Sequence, residues 1–312
     1  MLAHLLINLC IIAIPVAGHI GLRGLQGDFP RSPVVGILAH PPTKYVPHPY
    51  ILEYNDPNLK SLLASISGVL FTGGSLDQDL RFGHPYVDAA KVIYDYAVDR
   101  YAKKDPFPIF GICQGHQLLA LLAAGTHEAI SEGNYTTNNV ALPIKFVKAG
   151  GEMLKSLPRA VRKILETQNV TANIHSNGVP PEMWKIHKEL RKQFKMTSTS
   201  EDPVNHKIFS ASMESRLGRA PMYSVEFHPE MVSYVWHPAL MKALAKTAES
   251  VLVANSVVLF IGKVFRDKPH RFKDSTALSK AFFRKDTFRC PTDAALIQGF
   301  CLYNISSYSP VV

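Results

Sequence analysis

Three short stretches of the chain are continuously apolar. PVVGILAH (33–40), SGVLFTGG (67–74) and FPIFGIC (107–113) are broken off by glycine or polar residues, the pattern of strands buried on both faces in a parallel sheet. Between the last two, HPYVDAAKVIYDYAVDRYAKK places Val87, Ala90, Val92, Ile93 and Ala97 at helical spacing. Strand, helix, strand predicts an α/β fold in which helices cover a parallel sheet. A later run, VLVANSVVLFIGKVF from Val251 to Phe265, is interrupted by Asn255, Ser256 and Lys263. That reads as a buried helix rather than a membrane span. With neither an internal repeat nor a low-complexity linker, residues 19–312 read as a single domain.

The N-terminus departs from this pattern. Its apolar run, Leu5 to Val16, ends in Ala17 and Gly18, and is shorter than the roughly 20 residues a membrane helix needs. It fits the apolar region of a secretory signal peptide over residues 1–18, although Lys and Arg are missing ahead of it. Sequons at Asn134, Asn169 and Asn304 agree with that route. Removing Cys10 with the leader leaves Cys290 and Cys301 as a candidate disulfide and Cys113 as an odd thiol. A secreted or lysosomal/vacuolar location is therefore expected.

Composition narrows the function. At 46% hydrophobic and 19% charged residues, the 312-residue chain has ample material for a packed core. The net charge of +9 favours anionic partners. Nucleic acid is not indicated, because no Lys/Arg run is interleaved with aromatics. The basic residues concentrate between Val264 and Arg289, diluted by Asp and His, as on a solvated, mostly helical surface.

The chemistry is concentrated in two places. In Gly111-Ile112-Cys113-Gln114-Gly115, glycines flank a thiol where a buried strand runs into the apolar helix GHQLLALLAAG. This predicts a nucleophile elbow with Cys113 lifted into an exposed, strained position, its ionised form favoured by the positive end of the helix. Far downstream, MYSVEFHPE (222–230) reads as a strand ending in His228-Pro229-Glu230. A histidine base with a carboxylate beside it is what a cysteine nucleophile requires.

GICQGH with a downstream HPE resembles the class I glutamine amidotransferase-like superfamily and, within it, the folate γ-glutamyl hydrolase family. PVVGIL, SISGVLFTGGSLD, FPIFGICQG, TANIHSN (171–177), FSASME (209–214), MYSVEFHPE and ALIQGFCLYNISSY carry the resemblance in order. It implies a flavodoxin-like parallel-sheet core flanked by helices and a Cys113, His228, Glu230 triad that cleaves folylpoly-γ-glutamates through a thioester. It further implies an oxyanion hole from Gln114 and the Gly73-Gly74 loop, and a substrate-binding His175.

Two features depart from the hydrolases. His116-Gln117 stands where they have an aromatic residue followed by Glu, and Lys44 to Asn58 is Pro-rich, without a full amphipathic helix. The sheet is therefore expected to be reduced near the N-terminus. A glutaminase supplying ammonia and an inactive secreted binding protein stay open as alternatives, as does a homodimer. Neither a metal-ligand cluster nor a phosphate loop is present in the sequence, so no cofactor is expected.

Overall fold

The computed structural model describes residues 35–38, 59–74, 80–147, 150–233, 235, 242–266, 288–289 and 302–303. The expected signal peptide over residues 1–18, the 44–58 segment, Cys290, Cys301 and Asn304 lie outside these residues. In chain order the elements are β1 (Val35–Leu38), α1 (Leu59–Leu63), β2 (Gly68–Phe71), α2 (Pro85–Ala102), β3 (Ile109–Ile112) and α3 (Gln114–Ala124). Then come β4 (Thr137–Leu142), β5 (Lys145–Phe146), α4 (Glu152–Ser156), α5 (Arg159–Thr167), β6 (Thr171–His175), α6 (Met183–Ile186) and α7 (Lys188–Gln193). The remainder are β7 (Phe194–Glu201), β8 (Ile208–Ser215), β9 (Met222–Val225), α8 (Pro229–Val232), α9 (Ala248–Arg266), β10 (Phe288–Arg289) and β11 (Leu302–Tyr303).

The main sheet runs β1-β2-β3-β9-β8-β7-β5. Its first three pairings are parallel, whereas β9-β8, β8-β7 and β7-β5 are antiparallel. Helices flank a sheet whose β1-β2-β3-β9 half is parallel, as expected, and an antiparallel extension completes it. A separate antiparallel pair, β4 with β6, packs alongside.

Alternation along the strands builds a core on each face of the sheet. Val69, Phe71 and Ile109 join one cluster with Val87, Ala90 and Ile93 of α2 and Leu118, Leu119 and Leu121 of α3. Leu70, Phe110 and Ile112 join the other, with Val161 and Leu165 of α5 and Val253, Val257 and Ile261 of α9. Helix α2 starts where Pro85 presets the first turn and the His84 side chain accepts from the Tyr86 amide.

Helix α9 is long and apolar enough to cross a membrane by composition, with a mean hydropathy of 1.6 over Ala248–Phe265. Val253, Ala254, Val257, Ile261 and Phe265 are nevertheless buried in the fold while Leu252 and Leu259 face outward, as in the covering helix of an α/β sheet. Strands β10 and β11 pair antiparallel with Arg289 opposite Leu302, the residues that adjoin Cys290 and Cys301 in sequence.

Candidate active site

The register of two neighbouring strands creates the site. Parallel β3 and β9 lie side by side with Ile112 opposite Val225, so Cys113 and the Glu226-Phe227-His228 segment leave the sheet together at its carboxyl edge. Ligand sites in open α/β sheets form at this edge. Three strands fix the backbone there: the Cys113 amide donates to Val225 O at 2.8 Å, the Glu226 amide to Ala211 O at 3.0 Å and the His228 amide to Ala172 O at 2.8 Å.

Cys113 is the residue before α3 and has φ 50° and ψ −109°, a conformation that costs a non-glycine residue about 1–3 kcal/mol and recurs at functional sites. The strain expected of an elbow is therefore present. Exposure is not: the thiol is 2% exposed, packed in one cluster with Leu70, Ile112, Val225 and Phe227. Close approach, rather than φ, explains the flanking glycines. A Cβ on Gly111 would sit 2.5 Å from Gly115 O, and one on Gly115 would fall far inside van der Waals distance of Phe71 O. The helix lies so tightly on β2 and β3 that only hydrogen fits.

His228 is completely buried, and its Nδ1 lies 2.7 Å from Glu230 Oε1. The strand ends at Val225, so Glu230 reaches the ring not along a strand, as the sequence suggested, but from the first turn of α8 after Pro229. Nε2 makes no hydrogen bond of regular geometry. Burial opposes a charge on this ring, but the Cys113 charge, then Glu230 and the hydrogen bonds of both, outweigh it and hold the imidazole pKa well above its ordinary value. A histidine coupled to a thiol on one side and a carboxylate on the other can exchange a proton with the sulfur and keep one orientation throughout.

Behind the triad lies a buried polar cluster that the sequence reading passed over. Glu226 is fully buried, and Gln117 Nε2 donates to its Oε1 at 2.6 Å. His116 Nε2 is 3.8 Å from Glu226 Oε2, and His175 Nδ1 is 3.6 Å from Oε1. Ser224, Glu226 and His228 are polar positions alternating with apolar Val225 and Phe227. A carboxylate between two core residues was the available signal.

His175 is not presented as an exposed binding side chain. Its Nδ1 donates to Asn177 O at 2.7 Å, its Nε2 lies 3.2 Å from Asn173 Oδ1, and Thr137 Oγ1 donates to its carbonyl. The two glycines proposed for the oxyanion hole follow β2, next to β3, and a Cβ on Gly74 would meet Gln114 Oε1 at 2.5 Å. The Gln114 side chain therefore lies directly against Gly74. Among the described residues no group of three or more His, Cys, Asp or Glu is arranged to hold a metal ion.

The buried histidines carry a stability consequence. Burial lowers the pKa of His116 from 6.5 to about 3, helped by His175. Burial likewise lowers His175 from 6.5 to about 3, against its hydrogen bond to Asn177. Unfolded histidines take up protons near 6.5 while these stay neutral, so their stabilisation is complete above that pH and is lost as pH falls toward 3. Each contributes a slope on the order of 1 kcal/mol per pH unit. Glu226, whose pKa is raised, runs the opposite way and loses stabilisation as pH rises above its unfolded value of 4.5. Urea unfolding from neutrality into this acid window should show His116→Gln losing less stability than wild type. Equal slopes in the two proteins would contradict the assignment.

Comparison with known proteins gives the family of the chain. The family Glutamine amidotransferase class-I matches residues 46–247. The chain is 27% identical to a γ-glutamyl hydrolase of Homo sapiens over 302 residues, covering 88% of this chain and 91% of that protein. It is 25% identical to γ-glutamyl hydrolase B of Dictyostelium discoideum, covering 80% and 77%, and 22% identical to γ-glutamyl hydrolase 1 of Arabidopsis thaliana, covering 83% and 79%. With the family match spanning well over half its length, this chain belongs to the class-I glutamine amidotransferase family.

Proposed function

We propose that this chain is a cysteine hydrolase that cleaves the γ-glutamyl bonds of folylpoly-γ-glutamates. The observation that carries the reading is that Cys113 and the His228–Glu230 pair follow the ends of adjacent parallel strands, with the His228 ring coupled to both the Cys113 sulfur and the Glu230 carboxylate, in a chain whose relatives are named γ-glutamyl hydrolases over most of its length.

The sulfur of Cys113 attacks the γ-carbonyl carbon, and the carbonyl electrons move to oxygen. The Gln114 amide and an amide of the Gly73-Gly74 loop receive that oxyanion. Protonated His228 then gives its proton to the departing amine as the C–N bond breaks, leaving a thioester. Water loses a proton to His228 and attacks the thioester, and the released sulfur returns to its starting state. Glu230 holds the ring through Nδ1 in both halves. His175 does not contact substrate directly; it fixes the Asn173–Asn177 segment beside the site through Nδ1 and Nε2.

Each glutamate of the tail carries a free α-carboxylate, which a chain of net charge +9 attracts. Residues 1–18 act as a leader, and the remainder forms one domain that is secreted or delivered to a lysosome or vacuole. The sequon residues Asn134 and Asn169 are both exposed.

Product analysis tests the reading. Pteroyl-polyglutamate and free glutamine are offered separately to the purified chain. Release of glutamate or short glutamyl chains from the first supports the proposal. Ammonia from the second alone would reassign the chain as a glutaminase, and turnover of neither would make it a binding protein.

A further inference from the structure

Glu226 is the one buried carboxyl in the cluster behind Cys113 that the proposed reaction does not use, and its donors and acceptors can be counted. An ionised carboxylate offers about four acceptor positions. Here the completely buried group receives one hydrogen bond, from Gln117 Nε2, and its Oε2 has no hydrogen-bond partner among the described residues. Neither lysine nor arginine among those residues forms an ion pair with it; its two charged-pair neighbours are His116 and His175. A buried carboxylate so poorly provided for is costly.

The facing histidine has the complementary deficiency. His116 is completely buried, its Nδ1 is 2.9 Å from Ser224 Oγ, and its Nε2 has no hydrogen-bond partner. Two unsatisfied atoms, Glu226 Oε2 and His116 Nε2, thus face each other at 3.8 Å. That separation is a few tenths of an ångström beyond hydrogen-bond reach, and one hydrogen shared as the two side chains close it supplies what both lack. With the ring hydrogen on Nδ1, donated to Ser224, Nε2 is an acceptor, and the missing donor is the carboxyl itself.

We infer that Glu226 is held beneath the nucleophile as a neutral carboxylic acid whose Oε2 proton is directed at His116 Nε2, a positioning residue that keeps a second negative charge away from Cys113. The electrostatics agree: burial first, then the Cys113 charge, raises the Glu226 pKa well above 4.5, against Gln117 and the His228 charge.

Cys113 follows β3, His116 and Gln117 lie on α3, His175 ends β6, and His228 precedes α8. Tyr135 lies within the field of Glu226, and Asp202 acts on both Tyr135 and His175. Because coupling is reciprocal, ionising Glu226 disfavours the negative sulfur by as much as that sulfur disfavours the carboxylate. Alkaline pH then weakens the nucleophile from below.

The inference rests on Cys113 being the nucleophile of the proposed hydrolase, but its test needs no substrate. Infrared spectra of the wild-type chain at neutral pH should contain the carbonyl band of a buried protonated acid. That band should vanish in Glu226→Gln and move in His116→Phe, where the acceptor is gone. Iodoacetamide alkylation of Cys113, followed against pH, should be faster in Glu226→Gln than in wild type at alkaline pH, by about tenfold for one unit of coupling, with the profiles converging at neutrality.

A uniform change at all pH values is what a merely structural role would give, and it overturns the inference. So does a wild-type spectrum without the acid band, which would mean that His116 Nε2 carries the hydrogen and Glu226 is ionised. If Glu226→Gln fails to fold, the wild-type band and its movement in His116→Phe still decide. Failure of γ-glutamyl hydrolysis with the band and alkylation shift intact would sink the functional reading alone.

Discussion

Cys113→Ala is expected to abolish γ-glutamyl hydrolysis while leaving the folded chain able to bind the polyglutamate. The deleted sulfur is the atom on which the acyl group would be carried, and the oxyanion donors alone cannot replace it. Removing one member of such a triad typically costs about 10⁴- to 10⁶-fold in kcat. Packing gives no comparable reason for failure, because alanine fills a site that already lies in an apolar cluster with Leu70, Ile112 and Val225. Relief of a strained side chain at φ 50° is partial at most, since alanine also disfavours that conformation.

His228→Gln should lose nearly as much activity as Cys113→Ala, and the double variant should lose little more than either single one, as for residues acting as a unit. Acid quenching of wild type during turnover of pteroyl-polyglutamate, followed by mass spectrometry of the intact chain, should find a pteroylglutamyl adduct that is missing from Cys113→Ala. Full activity in Cys113→Ala would remove the nucleophile and the functional proposal with it.

How far this could be read in advance depended on where polarity fell. β2 and β3 announce themselves as apolar runs, and α2 and α9 as helical runs, because a parallel sheet covered on both faces needs continuously apolar strands. β7 and β8 gave no such signal. Several of their buried positions are filled by hydroxyls that satisfy one another: Thr197 Oγ1 and Ser198 Oγ both lie 2.6 Å from Ser212 Oγ. In sequence, TSTS and SAS look like loop.

The site divided in the same way. Cys113, His228 and Glu230 stood out because their spacing matches a chemistry, whereas Glu226 did not, since a glutamate in a strand normally faces water. It is buried here because its neighbours across the sheet, Gln117 and His116, supply a pocket that only the β3–β9 register creates. Likewise the thiol was expected to be exposed because elbows present their nucleophile. The side chains of Leu70, Val225 and Phe227 that close over it come from segments far apart in sequence.

Gly115→Ala should be the most damaging single methyl in the molecule. The added carbon would meet Phe71 O, Phe71 C at 2.8 Å and Phe71 Cβ at 2.9 Å, and two of those atoms are backbone of the sheet strand β2. No rotamer change can relieve that contact, so either α3 lifts from the sheet or β2 shifts. Overpacking of this kind costs about 1–3 kcal/mol or more, a large share of the roughly 5–15 kcal/mol that holds a domain together.

Activity should fall further than stability, because Cys113 immediately precedes α3 and moves with it. A displacement on the order of 1 Å at the reacting atom is enough for about a hundredfold loss in kcat. Gly125→Ala provides the contrast. Its Cβ would meet nothing within 4 Å, but the glycine closes α3 at φ 75°, where a side chain costs about 1 kcal/mol through the backbone. Urea unfolding should therefore show a loss for both variants, and turnover a loss for Gly115→Ala alone. Were Gly115→Ala to unfold at the wild-type midpoint with unchanged turnover, the close packing of α3 on β2 that positions Cys113 would be refuted.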